Sequence, residues 1–340
     1  MTDVPNSSAR TEESDGYREA LTGRPGEPVV GPADRAGADG LPEGDGQRID
    51  GRLSQVRLAQ VLVRPDGLWS DVRVVTETGS TNADVIRAAE QGAGEGLVLI
   101  AESQVAGRGR LGRSWLTPPG TALTLSVLVR PQSIPVARLG WLPLLAGVAV
   151  VDACAAVTNE VEAALKWPND LLVRPAGVAG DAWGKCGGIL AEAAGPDAIV
   201  IGIGINVYQR QDELPAPTDP LAYPATSLAL AGARCDREVL AVAVLQSLAE
   251  WYRRWRETAG DSERSGLAAA YRARCRTLGQ PVTVRLPAGA GLRGTAVDVD
   301  SDGCLVVRAA NGEHRLAAGD VHHVRPTRHV RRHGGPARER

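Results

Sequence analysis

Residues 104–115 read Gln104-Val105-Ala106-Gly107-Arg108-Gly109-Arg110-Leu111-Gly112-Arg113-Ser114-Trp115. The glycines satisfy the G-x-G-x-x-G spacing of dinucleotide-binding folds. That fingerprint needs a helix directly behind it, with a free N-terminus facing the pyrophosphate. Thr117-Pro118-Pro119-Gly120 follows instead, which is turn chemistry. A Walker loop is excluded as well, because no Gly-Lys-Ser/Thr occurs. What is left is a flexible segment with Arg108, Arg110 and Arg113 spaced by glycine. It either closes round a polyanion through guanidinium forks or forms a solvated basic hairpin.

Outward from this loop, the pattern is that of strands with helices laid over them. Upstream, residues 97–102 form an apolar strand, 72–76 another, and Gly79-Ser80-Thr81-Asn82 opens a helix to about residue 91, with Ser80 or Thr81 as N-cap. A short helix begins near Leu53 and stops at Pro65-Asp66-Gly67. Downstream, 123–129 alternates as a strand, and 136–157 reads as a long buried helix. Strands at 163–167, 171–173, 187–193 and 198–205 follow at hairpin spacing. Helices at about 237–256 and 267–275 complete an α+β class with a mostly antiparallel sheet rather than a βαβ repeat. Beyond Cys275, short strands at 282–286, 294–297, 304–307 and 313–316 joined by Gly/Asp turns predict a small β-barrel. The expected organisation is a disordered segment 1–52, a main domain 53–276, a small β domain 277–326 and a mobile tail 327–340. The first segment is too rich in Gly, Pro and acidic residues to offset its ordering entropy.

Composition narrows the chemistry. The 340 residues carry 38 basic against 40 acidic side chains, so no basic excess argues for nucleic acid. Lysine occurs only at Lys166 and Lys185, while every other basic residue is arginine. A lysine in that background marks a place where a planar guanidinium will not serve. All five histidines (His314, His322, His323, His329, His333) lie near the C-terminus, so the long middle offers no imidazole for a Ser-His-Asp or Cys-His catalyst. Five scattered cysteines without a C-x-x-C pair give neither a disulfide framework nor a zinc knuckle. The polar N-terminus lacks an apolar leader, and the apolar run 139–157 reads as a core helix rather than a membrane span. The expected compartment is the cytoplasm.

Lys166-Trp167-Pro168-Asn169-Asp170 places one lysine at a strand end that Pro168 stops, with Asn169 and Asp170 on the turn. An ammonium is a compact charge for a single oxygen shared between a carboxylate and a phosphate; the alternative is a surface lysine before a hairpin. Lys185-Cys186-Gly187-Gly188 opens the next strand, its glycines marking either close approach of a ligand or another backbone, or a bulge. Gly202-x-Gly204-x-Asn206 ends a buried strand, where Asn206 either bonds a base or ribose or caps a turn. Together these describe a binder of anions that uses Arg and Lys and has no histidine base. Attack of a carboxylate on the α-phosphate of ATP fits, because the nucleophile is already ionised and catalysis rests on positioning and charge neutralisation.

Thr78-Gly79-Ser80-Thr81-Asn82, the Gln104-to-Trp115 loop, Lys166-Trp167-Pro168-Asn169-Asp170, Gly188-Ile189-Leu190 and Gly202-x-Gly204-x-Asn206 resemble, in order and spacing, the biotin–protein ligases. The resemblance is strong over 72–207 and looser over the C-terminal β domain. It implies a catalytic domain related to class II aminoacyl-tRNA synthetases followed by an SH3-like barrel. It also implies two steps: biotin and MgATP give biotinyl-5′-AMP and pyrophosphate, and an acceptor lysine then displaces AMP. Carried over by position, Ser80, Thr81, Asn82 and Gln104 would hold the biotin head. Arg108, Gly109 and Arg110 would order over biotin and the intermediate, and Lys166 would bridge carboxylate and α-phosphate. Trp115 would stack on adenine, with Asn169 and Asn206 nearby. The implied partners are biotin, ATP and the biotin carboxyl carrier domain of an acyl-CoA or pyruvate carboxylase; Mg²⁺ is the implied activating ion, with no ligands assigned to it. A homodimer is compatible. Bifunctional relatives carry an N-terminal helix-turn-helix; an acidic segment stands there here, so no specific DNA binding is expected. A lipoate ligase shares the fold, but the loop and Lys166-Trp167-Pro168-Asn169-Asp170 argue against it. A nucleotide-binding regulator without catalysis is the alternative of another class.

Overall fold

The computed structural model describes residues 52–323 apart from 116, 181, 217–221, 286–290 and 318. The expectations for 1–51 and 324–340 lie outside these residues. In chain order the elements are α1 (Gln55–Leu62), β1 (Asp71–Val75), α2 (Thr81–Glu90), β2 (Leu97–Ala101), β3 (Ala122–Val129) and α3 (Leu142–Val157). Next come β4 (Val161–Lys166), β5 (Asp170–Pro175), β6 (Gly184–Ala193), β7 (Ile199–Asn206), α4 (Arg237–Glu257) and α5 (Leu267–Arg274). The last five strands are β8 (Pro281–Arg285), β9 (Gly291–Val299), β10 (Leu305–Ala309), β11 (Gly312–Leu316) and β12 (Asp320–His323).

Strands β1 to β7 form one sheet in the order β1-β2-β3-β7-β6-β5-β4. Only β1 and β2 are parallel; every other neighbouring pair is antiparallel. The α+β expectation holds. Strands β2 and β3 are buried at every position, apolar apart from Thr124 and Ser126, because helices cover one face and the other faces the interior of the site.

Helix α3 is apolar apart from Asp152 because it is enclosed along most of its length. It packs against the sheet, α4 and α5, with Leu142, Leu144, Leu145, Val148 and Val150 at most 1% exposed. Each such side chain contributes about 1.5–3 kcal/mol of burial, which fixes this helix as core. The sequence reading started it too early. Residues Val136–Trp141 are a 3-10 segment, and the α-helix begins only at Leu142, where Pro143 falls in the first turn and loses no hydrogen bond.

The five C-terminal strands form an antiparallel sheet in the order β11-β10-β9-β8-β12. Strand β12 was missed from the sequence, being four residues with two histidines. The two sheets are joined by specific bonds. The indole N–H groups of Trp141 and Trp167 donate to the carbonyls of Ser301 (3.0 Å) and Gly303 (3.2 Å) on the β9–β10 turn. Arg272 of α5 pairs with Asp298 at 2.6 Å.

Candidate active site

A cavity of about 430 Å³ lies over β3, β6 and β7, and the sequence-selected residues line it: Ser80, Thr81, Asn82, Gln104, Arg108, Gly109, Arg110, Trp115, Lys166, Asn169 and Asn206. One wall is the start of α2. Ser80 occupies the N-cap position but makes no cap bond; the expected cap is supplied from across the cavity, where Gln104 Oε1 accepts from Thr81 N at 2.7 Å and Thr81 Oγ1 at 3.0 Å. Asn82 donates to Leu190 O (3.2 Å) and Glu192 Oε2 (2.6 Å), while Ser126 Oγ lies 2.7 Å from Thr81 Oγ1 and 2.6 Å from Asn82 Oδ1. This part of the polar wall is therefore fixed before any ligand meets it, Thr81, Asn82 and Gln104 each being oriented by a neighbour. Thr124 Oγ1 is buried in the same cavity with no partner among the described residues, a hydroxyl that sequence reasoning did not single out.

The glycines of β6 and β7 make the floor. Gly188 and Gly204 face each other in register. A Cβ at Gly204 would fall 2.6 Å from the Trp115 indole, and one at Gly202 would fall 2.2 Å from Asn82 Oδ1. Their lack of a side chain is what lets the indole and the amide lie on the strand. Trp115 Nε1 is buried there without a partner among the described residues. At the start of β6 both readings of the glycines hold: the pairing with β5 shifts register between Leu171–Gly187 and Leu172–Lys185, and a Cβ at Gly187 would fall 2.7 Å from the backbone oxygen of Gly204.

Hairpin β4–β5 carries the charge. Lys166 ends β4 and Asp170 opens β5, paired directly in register. Lys166 Nζ lies 3.2 Å from Asp170 Oδ2, and Lys185 Nζ lies 2.5 Å from Oδ1. The two lysines of the chain thus meet on one carboxylate, with side chains 10% (Lys166), 32% (Lys185) and 13% (Asp170) exposed. Burial works to raise the Asp170 pKa, but the two ammoniums outweigh it and hold the carboxyl well below its usual range. Lys185 and Asp170 belong to the site more closely than the sequence alone indicated.

The Arg/Gly loop arches above. Arg110 is half-buried, and its Nη1 donates to Asn169 Oδ1 at 3.5 Å; Asn169 Nδ2 in turn donates to Ile189 O at 3.1 Å. Burial pulls the Arg110 guanidinium below its ordinary pKa, against the opposing pull of Asp170 and Asp320. Arg108 is exposed, and its guanidinium makes no hydrogen bond or ion pair among the described residues. Asn206 is engaged structurally: its Nδ2 donates to Thr226 O at 2.9 Å, and its Oδ1 accepts from Gln209 at 3.0 Å. It lines the cavity while tying the end of β7 to the 226 segment.

The site is less free of histidine than the sequence implied. Strand β12 brings His323 to Tyr223, a lining residue, with Nδ1 3.0 Å from the phenol oxygen and Nε2 3.1 Å from Thr277 Oγ1. The same Thr277 oxygen accepts from Trp167 N at 2.9 Å. This imidazole joins two walls of the site rather than standing among the cations.

The profile of the Biotin/lipoate A/B protein ligase family matches residues 73–206, and that of the Biotin protein ligase C terminal domain matches 277–324. A biotin–[acetyl-CoA-carboxylase] ligase of Mycobacterium tuberculosis is 40% identical over 284 residues, covering 83% of this chain and 99% of the relative. The bifunctional ligase/repressor BirA of Bacillus spizizenii is 31% identical over 270 residues, covering 78% of this chain and 74% of that protein. Among solved structures, a biotin protein ligase from Aquifex aeolicus in complex with biotin and ATP superposes with a TM-score of 0.58 at 25% identity, covering 76% of this chain and all of the other. Paired lysines, a polar wall and an arginine loop over an antiparallel sheet thus stand in a chain that belongs to the biotin–protein ligases.

Proposed function

We propose that this protein joins biotin and ATP into biotinyl-5′-AMP, releasing pyrophosphate, and then transfers the biotinyl group to a lysine on the carrier domain of a biotin-dependent carboxylase. The observation that carries the reading is the meeting of the chain's two lysines on Asp170, at the wall of the cavity that also holds Thr81, Asn82 and Gln104.

In the first step a biotin carboxylate oxygen attacks the α-phosphorus and pyrophosphate leaves. No proton has to be removed, so the task is to bring two anions together. Lys166 places its charge between carboxylate and α-phosphate, with Lys185 beside it. Asp170 keeps both ammoniums oriented, so that little reorganisation is needed when charge develops. Ser80, Thr81, Asn82 and Gln104 orient the biotin head, and Thr124 offers a further hydroxyl. Trp115, Asn169 and Asn206 form the nucleotide end. Arg108, Gly109 and Arg110 cover the mixed anhydride and keep water from it. In the second step the acceptor ε-amine attacks the acyl carbonyl, AMP leaves and the amine loses a proton.

Magnesium enters this reading with the phosphates of ATP. Among the described residues no three His, Cys, Asp or Glu side chains group to hold an ion, and both oxygens of Asp170 are engaged by ammoniums. No step is routed through a protein-held metal. The organisation proposed is a catalytic domain over 53–276 and an SH3-like domain over 277–326; specific DNA contact forms no part of the function. The five cysteines are free, which suits the reducing cytoplasm.

Incubation with ATP, radiolabelled biotin and a purified biotin carboxyl carrier domain tests the proposal. Label should appear on the acceptor only when ATP is present. No transfer, or equal transfer when lipoate replaces biotin, would overturn it; biotin bound by the protein with no pyrophosphate released would favour the non-catalytic regulator.

A further inference from the structure

The Arg/Gly loop is poorly equipped to hold itself in place. Gly112 and Leu111 both take positive φ and Leu111 is 68% exposed; the hairpin is closed by backbone bonds within itself, from Gly109 N to Arg113 O, Arg113 N to Arg110 O and Trp115 N to Gly107 O, and by the Arg108–Ser114 bridge. From the large sheet, the loop's arginines are met by Asn169 through a bond at the 3.5 Å limit. The firmer attachment comes from the other sheet. Asp320, the first residue of β12, forms an ion pair with the Arg113 guanidinium, and Gly319 and Asp320 line the cavity itself.

Asp320 is a fixed post. Its strand pairs with β8 from Asp320–Arg285 to His323–Val282, and three residues on His323 is buried between Tyr223 and Thr277. His322 Nε2 lies 3.5 Å from the same Asp320 oxygen. Across the tight turn from Arg113, Arg110 is held in its charged form partly by Asp320, after Asp170.

We propose that Asp320 is a positioning residue of the ligase, a latch on the C-terminal sheet that holds the loop closed over the activated intermediate through Arg113. The inference rests on the function proposed above. The C-terminal domain then sets how long biotinyl-AMP stays enclosed, Asp320 acting through Arg113 of the loop. Arg113 is 57% and Asp320 22% exposed, so the pair is screened and its effect is modest, about two- to fivefold on release.

The test uses the full-length protein with Asp320→Asn, Asp320→Glu, Arg113→Gln, Arg113→Asp, Asp320→Arg and the charge swap that combines the last two. One readout is escape of radiolabelled biotinyl-AMP from preloaded protein; the other is amide hydrogen exchange over 105–115 without ligand. Asp320→Asn and Arg113→Gln should each release about two- to fivefold faster and exchange faster. Asp320→Glu should behave as the parent, and the swap should release more slowly than the product of its single changes. Parent-like release and exchange in Asp320→Asn, or a swap whose two defects simply multiply, would overturn the latch. Should the parent accumulate no biotinyl-AMP, the functional proposal fails. Exchange alone then decides the latch, unchanged protection in Asp320→Asn ruling it out.

Discussion

Replacing Asp170 with Asn removes the carboxylate that Lys166 and Lys185 share while keeping the size of the side chain. Two ammoniums, one 10% and the other 32% exposed, would then face each other with no counter-charge. Breaking a buried pair by deleting one partner costs about 3–5 kcal/mol. Lys185 retains water, which places the expected loss near the lower end, about 3 kcal/mol. At roughly 2–4 °C per kcal/mol, the melting midpoint of ligand-free protein should fall by about 6–12 °C. Adding Lys185→Met to Asp170→Asn removes the repulsion and should recover part of the loss. The same pair fixes a pH dependence. The folded-state pKa of Asp170 is depressed, so its stabilising contribution is complete above the unfolded value near 3.9 and is lost as pH falls below it. Asp170→Asn should therefore flatten the acid limb of a stability–pH curve while lowering its plateau. Urea titrations of parent, single and double variants between pH 3 and 7 provide the measurement. A loss below about 1 kcal/mol at pH 7, or an acid limb unchanged by the substitution, would refute the argument.

Lys166→Arg retains charge but replaces a compact ammonium by a planar fork; first-turnover pyrophosphate release should slow on the order of 100-fold, and parent kinetics would remove Lys166 from its assigned role. Arg110→Gly should weaken loop closure, so that labelled biotinyl-AMP appears free in solution faster than from the parent. Gly204→Ala pushes on the Trp115 indole, a loop residue that can retreat, so the Michaelis constant for ATP should rise with little change in melting. Gly202→Ala pushes on Asn82, which three neighbours hold, and should cost about 1–3 kcal/mol in a denaturant titration.

Much of this was legible from local pattern. Apolar runs bounded by Gly and Pro located β2, β3, β6 and β7 to within a few residues, since largely buried strands leave a mostly apolar trace even where Thr124 and Ser126 interrupt β3. The polar wall was legible too, because Ser80, Thr81 and Asn82 are consecutive. What failed was whatever depends on distant partners. The cap of α2 comes from Gln104, so Ser80 could not be excluded by reading forward from it. Asp320-Val321-His322-His323 is too short and polar to announce a strand, and only its pairing with β8 makes it one. With β12 overlooked, both the buried His323 and the contact from Asp320 to Arg113, 207 positions away, were out of reach. Lys185 drew notice for its rarity, yet its meeting with Lys166 on one carboxylate follows from strand register, which composition does not encode.

The two indole N–H bonds to Ser301 and Gly303 bear on how the chain can be divided. Cutting near residue 276 would leave Trp141 and Trp167, now fully enclosed, with bare donors and an uncovered aromatic surface. The truncated product would be a sticky fragment rather than a minimal enzyme. Thermal unfolding of the intact chain should accordingly be cooperative, with both sheets melting together, since neither can open without disturbing the tryptophans that bind them.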